Sequence, residues 1–537
     1  MTLTDIPLQQ LRPTAAYAYT DVRQSSGSSG SRGVSAELDG DQHGEYVAEL
    51  AANGGGINVL ERKLGLWSGM ALVVGTIIGS GIFSSPALIL NSVGSVGMSM
   101  VVWVIGAVIS VCGCAAYMEL GTMLPRSGGE KEYLDVAFPR PRALLPFVFC
   151  LSVIAIGFPS GLAADAVVTG VYFVYAATGK PASGHSEWTQ RAIGLAVVVT
   201  CGLLHGLCSR AAIRLQNLLT VVKVLLLVLI VCVGTVGLAN GLKAPRANSF
   251  HDAFSGTSRN AHSYVSALFK VFFSYSGYTS LNYSIDELRN PVRNLPRAAM
   301  GGLAATTVLY ILSNVAFFVV LSPEAIRGAH TAVAGVFFTT AFSATWGQRI
   351  IPAFIGLAAF GNVLCGTFSA SRVIFEAARE GYLPFARHLG SVNLRFQAPL
   401  YALGVGTVLA AVFIVGPPPG EAYDFLIDIG GYPSWVFYGL SVVGLLIMRR
   451  THRDVARPFR TWMSANVLTI ATALFMCIVP FVKPSGDATS IPYWAAPLAA
   501  VLFIVASIPM WYIQVVVRLG LDRSHYAMQQ MSPDGIK

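Results

Sequence analysis

Past residue 60 the chain alternates long apolar runs with short polar connections. Twelve of these runs are near or above the roughly 20 residues that a helix needs to cross a bilayer. Their limits are 66–90, 97–120, 144–176, 191–209, 213–239, 262–287, 298–321, 350–378, 399–416, 423–448, 463–482 and 492–518. A shorter apolar stretch, 331–345, reads as a re-entrant or surface helix. Residues 1–60 are polar and include a Ser/Gly run over 25–31 and three glycines at 54–56. Such a segment cannot bury enough apolar surface to fold alone. It carries no basic stretch followed by an apolar core, so no cleaved signal peptide is expected and the first span directs insertion. The pattern predicts an all-α membrane protein with twelve transmembrane helices. Its parts are a disordered cytosolic tail (1–60), a transmembrane domain (61–520) and a short cytosolic tail (521–537).

Composition sharpens this picture. Hydrophobic residues make up 54% of the 537 and charged residues 12%, against about 25% charged in ordinary soluble proteins. A soluble protein with so little charge could not cover its surface. The net charge of +9 does not point to nucleic acid, because the basic residues sit in short loops rather than on a face with interleaved aromatics. Of the Lys and Arg residues, 26 fall in the tails and alternate loops and 8 in the other loops. That asymmetry places both termini in the cytosol. The eight cysteines lie in or beside apolar runs and read as small buried apolar residues. They imply no disulfide framework.

Two of the spans are interrupted by small residues. The first reads Gly75-Thr-Ile-Ile-Gly79-Ser80-Gly81-Ile-Phe83, and the sixth reads Phe273-Ser-Tyr-Ser276-Gly277-Tyr278-Thr-Ser280. Each opens a block of five spans, and five is odd, so the second block is inverted relative to the first. Broken helices at matching positions of inverted halves point to a transporter's binding site. A break in mid-membrane frees backbone groups that lipid cannot satisfy. The helix start after the break suits a carboxylate, and the carbonyls before it suit an ammonium. One break can therefore hold both ends of a zwitterionic amino acid. The plainer alternative is that the Gly-x-Gly motif only packs helices. A dinucleotide fingerprint fails for want of a βαβ unit.

At these residues the sequence resembles the L-type amino acid transporter family, within the amino acid–polyamine–organocation superfamily. The resemblance rests on Gly75–Phe83, on Tyr117-Met-Glu-Leu-Gly121 with Pro125-Arg-Ser-Gly-Gly129, and on Asn290-Pro-Val-Arg-Asn-Leu-Pro296. Ser371-Arg372, Arg379-Glu-Gly-Tyr-Leu-Pro384 and Arg457-Pro-Phe-Arg460 extend it, so that it runs from about residue 64 to 518. Ser127-Gly-Gly-Glu-Lys-Glu-Tyr-Leu134 is more similar to fungal methionine permeases than to animal members. The resemblance implies a five-plus-five inverted repeat with two extra C-terminal helices. It implies that the backbones of Ile77 and Ile78 take the substrate ammonium, and that Ser80 and Gly81, across Gly79, take the carboxylate. Phe273 matches an aromatic outer gate. Ser276 and Tyr278, on either side of Gly277, stand where the family usually has glycine and often tryptophan. In span 8, Leu364-Cys365-Gly366 replaces a more common Asn-Gly-Ser, and in span 10 Gly430-Gly431-Tyr432-Pro433 replaces a more aromatic run. Animal members pair with a glycoprotein through a loop cysteine between spans 3 and 4. The matching loop, Ala177 to Gln190, has no cysteine, which implies a protein without that heavy-chain partner.

Ionisable groups inside spans are functional hypotheses by default. Lys223 lies about 15 Å into span 5 at ~1.5 Å per residue. It resembles the lysine that replaces a sodium ion between spans 1 and 8 in sodium-independent relatives, and so is a candidate for proton coupling. The alternative is a lysine that snorkels to the headgroups. Asp165, central in span 3, either carries a proton or hydrogen-bonds a neighbouring helix. Lys270 reads as a snorkelling residue and His205 as interfacial. Glu119 and the pair Asp286/Glu287 sit at inner helix ends, either paired with loop arginines as an inner gate or simply solvated.

These readings converge on a plasma-membrane permease for a neutral amino acid, most simply methionine. It works by alternating access with proton coupling, and needs no metal or organic cofactor. The same fold as an exchanger or polyamine carrier, or as a nutrient sensor with little transport, is the alternative. A membrane enzyme would need clustered His, Asp, Cys or Ser at an interface, and no useful spacing is present.

Overall fold

A computed structural model of the chain describes residues 64–179, 187–239, 249–342, 345–393, 395–417, 422–482 and 492–518. Both expected tails, and residues 180–186 of the loop between spans 3 and 4, lie outside them. The described residues are helical. Their only β-type pairings are the isolated bridges Leu64–Leu288 and Asn393–Ala398.

The first span is two helices, α1 (Leu66–Ile77) and α2 (Gly81–Val93). Span 2 is α3 (Val96–Met123), followed by the short α4 (Glu130–Ala137) in the connection. Span 3 joins α5 (Leu144–Ser152) to α6 (Phe158–Thr178) through a π turn at Val153–Gly157. Next come α7 (Glu187–Leu207), α8 (Ser209–Leu238) and α9 (Ala261–Tyr275). After α9 the chain unwinds and continues in 3₁₀ turns at Ser280–Tyr283 and Ile285–Glu287. The second half contains α10 (Pro291–Val320), α11 (Pro323–Gly328), α12 (Val333–Ala341) and α13 (Ile351–Arg379), the last extended by a π turn at Trp346–Ile350. It closes with α14 (Ala386–Leu389), α15 (Leu400–Val415), α16 (Ala422–Thr451), α17 (Met463–Ile478) and α18 (Ala495–Trp511), which runs on to Arg518.

Ten segments among the described residues are long and apolar enough to cross a membrane. The sequence pattern predicts twelve. The two shortfalls are α9, with 15 residues, and α15, with 16. At ~1.5 Å rise per residue these helices reach about 23 Å, short of a ~30 Å hydrocarbon layer. In α9 the cause is the break itself.

Helical hydrogen bonding satisfies the backbone where no water can. Local chemistry sets the ends. The Asn260 side chain accepts from the His262 N–H at 3.1 Å at the start of α9. Pro291 opens α10, where its missing N–H costs nothing. Outward faces carry apolar stripes at helical spacing, such as Val101, Val104, Ile105 and Val108 on α3, all exposed. On a membrane protein these stripes face lipid. Cys208 and Cys232 are also exposed, which corrects the expectation that all eight cysteines are buried. Cys208 lies in the joint between α7 and α8, and Cys232 on an outward face of α8. All eight are free thiols.

Of the two forms expected for the stretch near 331–345, re-entrant or surface helix, burial rules out the surface helix. α12 buries Val333, Ala334, Phe337 and Phe338. The Thr331 carbonyl before it accepts from the Ser84 hydroxyl at 2.8 Å, tying the segment to α2.

A cavity between two helix breaks

The breaks at spans 1 and 6 lie side by side. At one end Leu64 N–H donates to Glu287 O and Arg289 N–H to Leu64 O, both at 2.9 Å. Around the breaks, the Tyr310 hydroxyl on α10 lies 2.8 Å from Ile77 O and 3.1 Å from Ser274 O, spanning both. Gly81 allows the contact between them. A Cβ there would sit 2.7 Å from the Cα of Ser274, with no flexible atom to give way.

The span-1 break is fully buried, with Ile77, Ile78 and Ser80 at 0–1% exposure. Its freed polar groups meet side chains. Ser80 N–H donates to Asp165 Oδ1 at 3.0 Å. The other carboxylate oxygen of Asp165 accepts from the Asn362 side-chain amide on α13. Lys223 Nζ donates to Gly75 O at 2.5 Å, in the last turn of α1. Gly79 N–H donates to Ile77 O at 2.9 Å. Helix dipoles make this arrangement favourable. A carboxylate lies at the positive start of α2 and an ammonium at the negative end of α1.

Lys223 is completely buried, so it does not snorkel. Its stem passes Gly361 of α13, placing the amine between spans 1 and 8. Lys270 is buried as well, with Nζ donating to Ser266 Oγ at 2.9 Å. His205 is 1% exposed and donates from Nε2 to Leu364 O at 3.0 Å. Neither is the interfacial group that depth alone suggests: His205 reaches a carbonyl of α13, and Lys270 is buried with its amine on its own helix.

Beside the breaks lies a cavity of about 200 Å³. Thr76, Asp165, Phe273, Ser276, Gly277 and Tyr278 are among its walls. Asn362 and Glu130 also reach it, as do Gly366, Gly430 and Gly431. Ile77, Ile78, Ser80 and Gly81 lie behind this surface. Phe273 stacks edge-on with Tyr423 at 6.1 Å, and the Tyr423 and Ser80 hydroxyls are 3.4 Å apart. Gly277 holds φ +108°, a conformation that a side chain rarely adopts. Ser276 is exposed to the cavity and donates its hydroxyl to Phe273 O at 2.7 Å.

Of the acidic groups expected at inner helix ends, Glu287 and Glu119 are buried in ion pairs, and Asp286 is exposed but hydrogen-bonded. Glu287 binds Arg372 at 2.8 Å with both side chains buried. Glu119 is fully buried and accepts two hydrogen bonds from Arg449 and one from Thr461 N–H. Asp286 instead exchanges hydrogen bonds with Ser127, whose N–H donates at 3.3 Å and whose hydroxyl accepts at 3.0 Å.

Sequence reasoning missed Asn362, Tyr310, Tyr423 and the cavity-lining role of Glu130. Asn362 could have been noticed as a lone amide in an otherwise apolar run. Tyr310 and Tyr423 carry no such signal, since tyrosines are common in spans.

A many-spanned helical bundle with a central cavity at two helix breaks has the build of a membrane carrier. The chain belongs to the amino acid permease family, whose model matches residues 64–506. It is a multi-pass membrane amino acid transporter and not an enzyme. It is 32% identical to a high-affinity methionine permease of Saccharomyces cerevisiae, across 81% of this chain and 76% of the relative. It is 30% identical to the b(0,+)-type amino acid transporter 1 of Mus musculus, across 86% and 89%. A low-affinity methionine permease of the same yeast is 31% identical, across 85% and 83%.

Proposed function

We propose that this protein is a plasma-membrane permease that imports a neutral L-amino acid, with methionine as the principal substrate. It crosses the bilayer twelve times, as a five-plus-five inverted repeat and two further helices, with both termini in the cytosol. It works without a disulfide-linked heavy chain and without a metal or organic cofactor. The methionine permeases among its relatives support the substrate class.

The observation that carries the reading is the carboxylate of Asp165 on the Ser80 amide. The start of α2 binds a carboxylate, and the protein's own side chain fills the place. In the transport cycle the substrate carboxylate replaces Asp165 at the amides of Ser80 and Gly81, across Gly79. The substrate ammonium meets the carbonyls of Ile77 and Ile78. Phe273 closes the outer side, while Ser276, Gly277 and Tyr278 form the wall against the substrate side chain. Asp165 takes up a proton as it leaves the Ser80 amide, so that two carboxylates never share one helix end uncompensated. Lys223 holds the end of α1 by its positive charge, in the place where a sodium ion would otherwise be needed, and with Asp165 couples proton movement to the substrate. Substrate and proton therefore move together. The ion pairs Glu287–Arg372 and Glu119–Arg449 hold the inner side shut until the substrate is bound.

Uptake of labelled methionine in cells lacking their own permeases tests this, with a protonophore control and competition by other amino acids. The expected result is saturable uptake that collapses with the proton gradient and is blocked best by methionine. Uptake driven only by an amino acid on the other side of the membrane would replace symport with exchange. Preferential uptake of a different amino acid would overturn the substrate assignment.

A further inference from the structure

A carboxylic acid that this cycle does not use lies at the inner end of the cavity. Glu130 opens α4, in the connection between spans 2 and 3, yet its side chain is buried and lines the cavity. Oε1 accepts hydrogen bonds from Tyr117 on α3 at 2.9 Å and from Tyr283 at 3.2 Å. Oε2 is buried with no hydrogen-bond partner. A carboxylate with one oxygen buried and unpartnered is poorly solvated and favours the neutral acid. Burial pushes Glu130 up to about 7, against the opposing pull of its own backbone N–H and of the two tyrosine hydroxyls.

The groups facing it do not fix its charge. They are Tyr117 on α3, Tyr278 and Tyr283 in the unwound segment, Tyr438 on α16, Cys150 on α5 and Tyr133 on its own helix. Phenols and thiols are neutral near pH 7. The charged groups farther out are engaged elsewhere. Lys131 binds Glu132 at 2.8 Å and Glu380 at 3.3 Å, Arg372 binds Glu287, and Asp286 binds Ser127.

We infer that Glu130 is a proton-binding site of the carrier, separate from the substrate-contacting break. Its free oxygen, Oε2, takes a proton from cavity water while the inner side is closed. Its two tyrosine donors come from different elements, α3 and the segment after the span-6 break. When these part, water reaches the carboxyl, the charged form is solvated, and the proton leaves to the cytosolic side. This inference rests on the transporter reading above, and deepens it by naming a further titrating group for the same cycle.

The test uses the full-length protein purified into liposomes, with counterflow of labelled methionine measured between about pH 5 and pH 8, with no pH gradient, a window above the ordinary carboxylate range. Wild-type counterflow is expected to fall severalfold above a midpoint near 7. The Glu130→Gln rate should lose this step near neutral pH, because the group that titrates there is gone, and keep only the pH dependence that Asp165 contributes. Tyr283→Phe removes one donor to the carboxylate and should move the midpoint upward. A wild-type pH profile in Glu130→Gln overturns the inference, as does an unmoved midpoint in Tyr283→Phe should the first variant not fold. If the wild type moves no amino acid at any pH, the transporter reading fails separately. Infrared titration of the purified protein then decides on Glu130 alone. A protonated-carboxyl band that disappears near neutral pH in wild type and is missing from Glu130→Gln supports it, and no such band refutes it.

Discussion

The two helix breaks begin from the same sequence feature, a cluster of small residues in mid-membrane, and end as different devices. The break in span 1 is three residues long, fully buried, and held by side chains from other spans. Asp165 binds its backbone at Ser80, Lys223 and Tyr310 bind carbonyls in the last turn of α1 before it, and Asn362 holds Asp165 in place. The break in span 6 satisfies its backbone locally. Ser276 N–H donates to Phe273 O, Ser280 N–H to Gly277 O, and Asn282 N–H to Thr279 O, all within 3.2 Å. It lies open along the cavity, and the chain does not return to an α-helix until Pro291. A break that depends on distant partners concentrates charge at one place. A break that closes on its own turns is a wall, whose chemistry is that of its side chains. The first suits the charged ends of an amino acid and the second suits its side chain.

This contrast can be broken most directly at the point where the two breaks touch. Gly81→Ala puts a methyl against the Ser274 backbone, and overpacking of this kind costs about 1–3 kcal/mol. Uptake should fall more than tenfold, on the order of 1.4 kcal/mol per decade, in protein that still reaches the surface. Normal uptake would show that the two breaks need not meet. Lys223→Met keeps the stem and removes the charge from the Gly75 carbonyl. A lost charged hydrogen bond of about 1.5–3 kcal/mol predicts roughly tenfold slower initial uptake, and an unchanged rate would sever the break from the lysine.

Asp165→Asn is subtler. The amide can still accept from Ser80 N–H, but its own NH₂ opposes that of Asn362. A neutral group competes less well for the helix start, so the KM for methionine should fall by about two- to threefold while protonophore sensitivity is lost. Retained sensitivity would remove Asp165 from the coupling. The smallest effect is expected at the wall. Ser276→Gly deletes a hydroxyl that bonds only locally to Phe273 O, a change within about 0.5 kcal/mol. Rates for methionine should stay within about twofold, with any change seen as altered preference among amino acids in competition assays. A tenfold loss would mean that the wall contributes more than shape.

The spans were legible because the membrane leaves the backbone one economical solution. The run expected at 463–482 is observed as Met463–Phe481, and that expected at 350–378 as Trp346–Arg379. The breaks were legible because Gly and Ser are out of place in such runs. Depth was legible too, which is why Lys223 and Asp165 stood out. Direction was not. Lys270 and His205, expected at the membrane edges, are buried, and Glu119 meets Arg449 and Thr461 across more than 300 residues of chain. Glu130 read as part of a family motif in a connection, and nothing in its neighbours along the chain shows that it reaches the cavity.

The sequence by itself determined the helices, their approximate limits, the two interruptions and the family. Each of these follows from local composition against a solvent that offers no hydrogen bonds. Tertiary structure decided which polar groups meet. Asp165 reaches Ser80, Lys223 reaches Gly75 and Tyr310 spans both breaks, because helix rotation and crossing are set by packing against neighbours rather than by hydropathy.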